Sequence, residues 1–384
     1  ALSLTYDPRA QIYRSVDYRN LGPEELGSVY ESLLELHPQI NVPARRFALA
    51  TAGGNERKTT GSYYTPTSLI NALLDSALDP VLNEAAKQGE AAILDLNICD
   101  PACGSGHFLI AAAQRMAKKL AELRPGEEEP PPAAVQEAKR DIIGRCIYGV
   151  DINPMAVELC KVNLWMEALE PGKPLSFLES HISVGNSLLG TTPKLMAGGI
   201  PDDAFNPIEG DDRAEATRLK KINRGERKLR ESGQRSLFQI MEPPADYAAL
   251  TRAAAALNTM DDDTLDDLRR KEAAYAALAT DSEAKKAQLL ADAWCAAFVW
   301  EKGASDGVPP LTDLTYRRLE DTLRDDRALA DDLIAIINEV ERLRERYGFF
   351  HWHVAFPDVF PVQDEPQGAA NEQTGWDGGF DVVL

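Results

Sequence analysis

Apolar residues recur along this chain with two different periods, and the change from one to the other divides it. In residues 21–37, LGPEELGSVYESLLELH, Leu26, Val29, Tyr30, Leu33 and Leu34 keep the three-and-four spacing of an amphipathic helix. A polar stretch with Gly53, Gly54 and Asn55 follows, and then TGSYYTPTSLINALLDSAL. Pro66 suits the first turn of a helix there and Thr65 its cap, with Leu69, Ile70, Leu73, Leu74 and Leu78 on one side. Residues 91–190 alternate strand and helix. AAILDLNICD reads as a buried strand, and PACGSGHFLIAAAQRMAKKLAEL as a glycine turn opening into a helix. PGEEEPPP, Pro125 to Pro132, is an exposed break, and CIYGVD is a second strand. NPMAVELCKVNLWMEAL is a helix capped by Asn153 and opened by Pro154, with an apolar seam of Met155, Leu159, Val162, Met166 and Leu169. HISVGNSLL is a third strand with its turn. This order predicts a parallel sheet with helices on both faces.

From 191 to 347 the strand signal nearly vanishes, and Ala, Leu, Arg and Asp recur at helical spacing, broken at Pro243–Pro244 and Pro309–Pro310. Packed helical hairpins are expected. Strand character returns at HWHVAFPDVF and GFDVVL, so the sheet is completed only after this insertion. The pattern gives four parts: an N-terminal helical segment 1–60, the first half of the α/β unit 61–190, a helical insertion 191–347, and a return to the sheet 348–384. No internal repeat is apparent.

Composition narrows the classes. The 384 residues are 44% hydrophobic, enough for a large core, and no run of apolar residues reaches the roughly 18 that a membrane span needs. No signal peptide is visible at the start. Cys99, Cys103, Cys146, Cys160 and Cys295 form no CxxC pair, which suits reduced thiols and a cytoplasmic location. A net charge of −20 argues against a uniformly basic nucleic-acid sleeve and leaves room for a local basic groove. The first residue is not Met and the last five, Phe380 to Leu384, form an apolar run, the look of a piece of a longer protein.

The strongest chemical signal is DPACGSGHFL, Asp100 to Leu109. A strand ending in an acid, then small residues and two glycines, then a helix, forms a backbone cradle. Dinucleotides and S-adenosylmethionine both use such a turn. A dinucleotide turn places a third glycine where Leu109 stands, and its pyrophosphate would be repelled by Asp100. A cationic sulfonium ligand with an ammonium group would be attracted. The second signal is GVDINP, where Asp151 ends the next strand and can accept both hydroxyls of a ribose. It lies 51 residues beyond Asp100 against an expected ~20, the excess being the PGEEEPPP break and its helix. Ile152 beside it can cover an adenine face. In GNSLL, Asn186 offers an amide to an adenine edge.

In this order, SYYTP, DPACGSGHFL, GVDINP and GNSLL resemble the cofactor motifs of gamma-class adenine-N6 DNA methyltransferases, above all the large polypeptides of type IIG restriction-modification and related phage-defence systems. The likeness covers roughly residues 20–190 and 348–384, including an HW-x-x-x-F-P-x-V-F stretch. It implies an α/β, Rossmann-like methyltransferase fold with a largely α-helical insertion, S-adenosyl-L-methionine as cofactor, and double-stranded DNA as partner, with other subunits of a defence system as further partners. It also implies site roles. Tyr64, Thr65 and Pro66 would lie by the methionine end. Asp100, Pro101, Ala102, Cys103, Gly104, Ser105, Gly106, His107 and Phe108 would wrap the cofactor. Asp151 and Ile152 would hold the ribose and ring, and Asn186, Ser187 and Leu188 would line the adenine pocket. The family often has Asp where Asn186 stands. Its catalytic tetrapeptide, Asn or Asp, two prolines and an aromatic, follows a strand like FDVVL. None occurs here: Asn206–Pro207 precedes Ile208, and Asn153–Pro154 precedes Met155. Catalytic residues are expected after Leu384, and this chain is expected to bind cofactor without transferring methyl.

Cys103 reads as a small loop residue, without a His–acid partnership to make it a nucleophile. His351 and His353 lack a third ligand and read as strand residues, so no metal is expected. Between Arg213 and Arg235 nine basic residues face three acids, and Arg224, Arg227, Lys228 and Arg230 are the candidates for phosphate contact. Two rival functions remain: a base methyltransferase acting on RNA, and a non-catalytic module whose cofactor gates partner binding.

Overall fold

The computed structural model describes residues 4–7, 11–15, 36–41, 43, 45–51, 65–124, 130–232, 245–303, 307–362 and 371–384. Near the N-terminus β1 (Leu4–Asp7) pairs antiparallel with β2 (Ile12–Ser15), and β3 (Leu36–Asn41) with β4 (Arg46–Thr51). The expected helical segment 1–60 is therefore corrected to hairpins where it is described. Most of the helix read at 21–37 lies outside the described residues, and its last two positions, Leu36 and His37, open β3.

Helix α1 (Thr67–Gln88) begins after Pro66, which takes the cap position itself without a side-chain bond, so Thr65 is not the cap. Ile70, Leu74, Leu78, Leu82 and Ala85 are its buried face. After α2 (Glu90–Leu94) come β5 (Ile98–Asp100), α3 (His107–Leu123), α4 (Pro132–Arg145), β6 (Ile147–Asp151), α5 (Pro154–Ala168) and β7 (Ile182–Val184). The last strand, β8 (Val382–Val383), joins β5 on its free side, giving a parallel sheet in the order β7-β6-β5-β8. The chain thus leaves β5 toward β6 and later returns to its opposite edge. The carboxyl ends of β5 and β8 flank this reversal, where open parallel sheets bind ligands.

Alternating side chains send Ile98, Ile147, Ile182 and Val382 to one face, into a core with α1, α3, α4 and α5. Cys99, Tyr148 and Val150 point to the other, under an aromatic layer of Phe350, Phe356, Phe360, Trp352, Trp376 and Phe380. Helices on both faces had been expected. This second face is instead covered by an aromatic layer drawn from loops and the short helical stretch that starts at Trp352, with Asn258 of the insertion donating to the Tyr148 hydroxyl at 3.3 Å.

Between β7 and β8 lie α6 (Pro193–Ala197), a 3-10 turn (Asp202–Phe205), α7 (Arg213–Ser232), α8 (Tyr247–Asn258), α9 (Leu265–Thr280), α10 (Ser282–Val299), α11 (Asp313–Arg324) and α12 (Asp331–Tyr347). Helix α10 runs through their own core, where Leu290, Trp294, Tyr316, Leu319, Ile336 and Val340 meet. HWHVAFPDVF, read as strand, is a short helix, α13 (Trp352–Ala355), with a following turn. Among the described residues no helix is long and apolar enough to cross a membrane.

Candidate functional site

Two adjacent parallel strands end in acids. Asp100 closes β5 and Asp151 closes β6, and the glycine turn 101–106 crosses between them. Ala102 N–H donates to Asp100 Oδ1 at 3.0 Å, Cys103 N–H to Val150 C=O at 3.0 Å, and Gly104 N–H to Asp151 Oδ2 at 2.9 Å. Gly106 closes the turn at φ 90° and starts α3 by accepting Ile110 N–H at 2.8 Å. A Cβ on Gly106 would stand 2.8 Å from Cys160 Sγ, so both its dihedral and its closeness to α5 require glycine.

Asp100 is only 5% exposed, and burial is the main cause that pushes its carboxyl up to about 6. The bond from Ala102 works against that rise and the charge of Asp151 adds to it. Asp151 is half-buried and works structurally as well. Its Oδ1 accepts Asn153 N–H at 2.8 Å while Oδ2 holds Gly104, so one carboxylate joins the glycine turn to the start of α5. A carboxylate has about four acceptor positions, and two remain for hydroxyls.

The other expected residues divide. Pro101, Gly104, Ser105 and His107 are half-buried around the turn, Ala102 is exposed, and Ser105 Oγ lies 3.1 Å from His107 Nδ1. Phe108 packs against the core. Cys103 turns its sulfur inward toward Cys160; that contact, then burial, holds its thiol well above its ordinary range, so it offers only its backbone to the turn. Ile152 is 55% exposed beside Asp151, free to cover a ring. Asn186 Oδ1 accepts Leu188 N–H at 3.1 Å, which shapes the turn, and Leu188 stands 90% exposed. Thr65 and Pro66 stand at the start of α1, and Tyr64 lies outside the described residues. A cavity of about 630 Å³ lies elsewhere, between α8, α9, α10, α12 and residues 354–358.

Sequence reasoning missed Asn163. It is fully buried on α5, and its Nδ2 donates to Ser105 C=O at 2.9 Å, fixing the glycine turn from behind. A polar residue inside the apolar run VNLWM was the available signal. His351 was set aside as a strand residue, yet it is a buried hydrogen-bonding hub, with Nε2 2.9 Å from Asp292 Oδ1 and Nδ1 3.2 Å from Thr191 N. Two of the four candidate phosphate contacts are hydrogen-bonded within the fold, and a third lies near a carboxylate. Arg224 donates to Asp202 at 2.8 Å, Arg227 lies 3.9 Å from the same carboxylate, and Arg230 reaches Gly198 C=O at 2.9 Å; Lys228 is exposed.

A parallel sheet with an acid-ended glycine turn and a second acid on the neighbouring strand places the chain in a broad class of open α/β proteins. Within it, this chain belongs to the Eco57I restriction-modification methylase family, whose profile matches residues 145–384. The N-6 DNA Methylase profile matches residues 24–194. A Methanocaldococcus jannaschii protein named as a type II restriction enzyme and methyltransferase is 32% identical over 216 residues, 44% of this chain and 17% of its own. Adenine-specific methyltransferase PglX of Streptomyces coelicolor is 29% identical over 161 residues, 40% of this chain and 12% of its own. The type II restriction enzyme and methyltransferase RM.Eco57I of Escherichia coli is 28% identical over 162 residues, 38% and 16% respectively. The matched stretches span 12 to 17% of these relatives' lengths.

Proposed function

We propose that this chain is the cofactor-binding part of an S-adenosylmethionine-dependent DNA adenine-N6 methyltransferase, with a Rossmann-like fold, serving a restriction-modification or phage-defence system. The observation that carries the reading is the pairing of Asp100 and Asp151 across one glycine turn. A buried carboxylate beside exposed backbone suits an ammonium group, and a half-buried carboxylate with acceptor capacity left suits two ribose hydroxyls. Ile152 and the Asn186 turn would take the adenine. When bound, the cofactor supplies an electrophilic methyl group. The residues of this chain bind and orient it: Gly104 and Gly106 allow backbone approach, and Asn163 keeps the turn from shifting. Family membership and the names of the relatives support DNA adenine as the acceptor.

These 384 residues hold no Asn/Asp-Pro-Pro-aromatic tetrapeptide, so the property to test in them is binding. Titration calorimetry with S-adenosylmethionine should give saturable one-site binding. Asp151→Ala should weaken it by about 1.5–3 kcal/mol for each hydrogen bond lost to the charged group. A folded Asp151→Ala protein with undiminished affinity would remove that residue from the site.

A further inference from the structure

The adenine-side turn, residues 185–191, is gripped by one short segment. Asn186 N–H donates to Gly348 C=O at 2.7 Å, Phe350 N–H to Leu189 C=O at 2.8 Å, and Trp352 Nε1–H to Ser187 C=O at 3.3 Å. The approach is so close that a Cβ on Gly190 would stand 2.0 Å from Phe350 O. The fourth bond differs, because it passes through a side chain. Thr191 N–H can only donate, so His351 Nδ1 accepts; the ring proton is therefore on Nε2, aimed at Asp292 Oδ1 2.9 Å away. His351 and Asp292 are each 2% exposed. Asp292 belongs to α10 and is held by Gln288 Nε2, 3.0 Å from both oxygens, with Arg344 Nε at 3.5 Å. A buried, fully directional chain thus runs from the helical insertion to the turn carrying Asn186.

We propose that His351 is a positioning residue for the cofactor's adenine: it fixes the 185–191 turn against α10 through Thr191. This rests on the reading of the site as one for S-adenosylmethionine. An ordinary buried histidine would matter only for stability, and two isosteric substitutions separate the roles. In His351→Asn the amide oxygen takes the place of Nδ1 and keeps the Thr191 bond while losing Asp292. In His351→Gln the amide nitrogen takes the place of Nε2 and keeps Asp292 while losing Thr191.

The experiment is calorimetry with S-adenosylmethionine on the wild-type chain and both variants, beside thermal denaturation and amide exchange of peptides covering 185–191. His351→Gln should lose about tenfold in affinity, the value of one hydrogen bond. His351→Asn should stay within about threefold of wild type, the directly accepted bond being kept. Exchange in 185–191 should quicken in His351→Gln more than thermal destabilisation explains. Unchanged affinity in His351→Gln, or equal losses in both variants that track their melting temperatures, would overturn the positioning role and leave the site intact. A wild-type chain that fails to bind the cofactor would sink the reading of the site, and this inference with it.

Discussion

If the site takes S-adenosylmethionine as proposed, Asp100 meets opposite demands from folding and from binding. Burial pushes its folded carboxyl from the ordinary 3.8 up to about 6, so the folded state takes up a proton more readily than the unfolded one. Its contribution to stability is then fully present below pH 3.8 and is lost as pH rises through 6. Binding runs the other way, because an ammonium group is attracted only to the ionised form. Asp100→Asn keeps an acceptor for Ala102 N–H but removes the charge. The variant should be more stable than wild type at pH 8, by on the order of 1–3 kcal/mol, and the gain should vanish by pH 4. In the same range wild-type affinity for S-adenosylmethionine should fall from pH 7.5 to pH 5, while the weaker affinity of the variant stays flat. Denaturant titrations and calorimetry across pH read both slopes. A wild-type affinity that does not change with pH would place the ammonium away from Asp100.

At the scale of elements, α5 shows what periodicity conveys and what it does not. Its existence, its Asn153 cap and its opening Pro154 were legible, and the cap bond to Met155 N–H is present at 3.0 Å. Its buried face was not. Of the five residues read as the seam, Met155, Val162, Met166 and Leu169 are 62%, 40%, 45% and 59% exposed and Leu159 is half-buried, while Ala156, Val157, Cys160, Asn163, Leu164 and Ala168 are buried. The helix carries apolar residues on nearly every side, so spacing alone selects no face. What selects it is the glycine turn, which accepts only small or hydrogen-bonding neighbours such as Cys160 and Asn163. Asn163→Ala should therefore cost about 0.5–1.5 kcal/mol by removing the hydrogen bond to the Ser105 C=O, measured by chemical denaturation. It should also weaken cofactor binding although Asn163 sits behind the turn; loss of stability with unchanged affinity would confine it to packing. The strand ends at Asp100 and Asp151 were legible because an acid and two glycines have few other uses there. HWHVAFPDVF misled because aromatic and β-branched residues also suit a layer laid across a sheet, which is what Phe350, Phe356 and Phe360 form.

For the molecule as a whole, the insertion and the sheet are pinned together. Arg140 of α4, 4% exposed, donates to Asp262 C=O at 2.8 Å and to its Oδ1 at 3.0 Å. Asn258 of α8 meets both Tyr148 and Asp358. DNA contact through α7 would then act on a body continuous with the cofactor turn. Charge reversal along α7 cannot be read simply, because Arg224 and Arg230 are also clasps. Lys228 is the clean probe. Lys228→Ala in the full-length protein should weaken binding to all duplex sequences alike and lower the slope of log K against log salt by about 0.9, the value of one phosphate contact. Arg230→Ala should instead lower stability, since it reaches Gly198 C=O and lies 3.5 Å from the buried Asp313 carboxylate. A salt slope unchanged in Lys228→Ala would leave this face of α7 simply solvated.

The central strand of the sheet waits long for one of its neighbours. Asn97 N–H, just ahead of β5, is bonded to an Asp381 carboxylate oxygen 284 residues later, and β8 pairs with β5 in the same place. On a ribosome adding roughly 5–20 residues per second, β5 emerges on the order of 15–60 s before β8 exists. Throughout that interval one side of β5 presents unpaired backbone, the kind of edge on which nascent chains aggregate. The helices of the insertion close their hydrogen bonds locally and can fold meanwhile. The growing polypeptide therefore carries its glycine turn on an unfinished sheet for that whole interval, the stage of synthesis at which a chaperone would have most to protect.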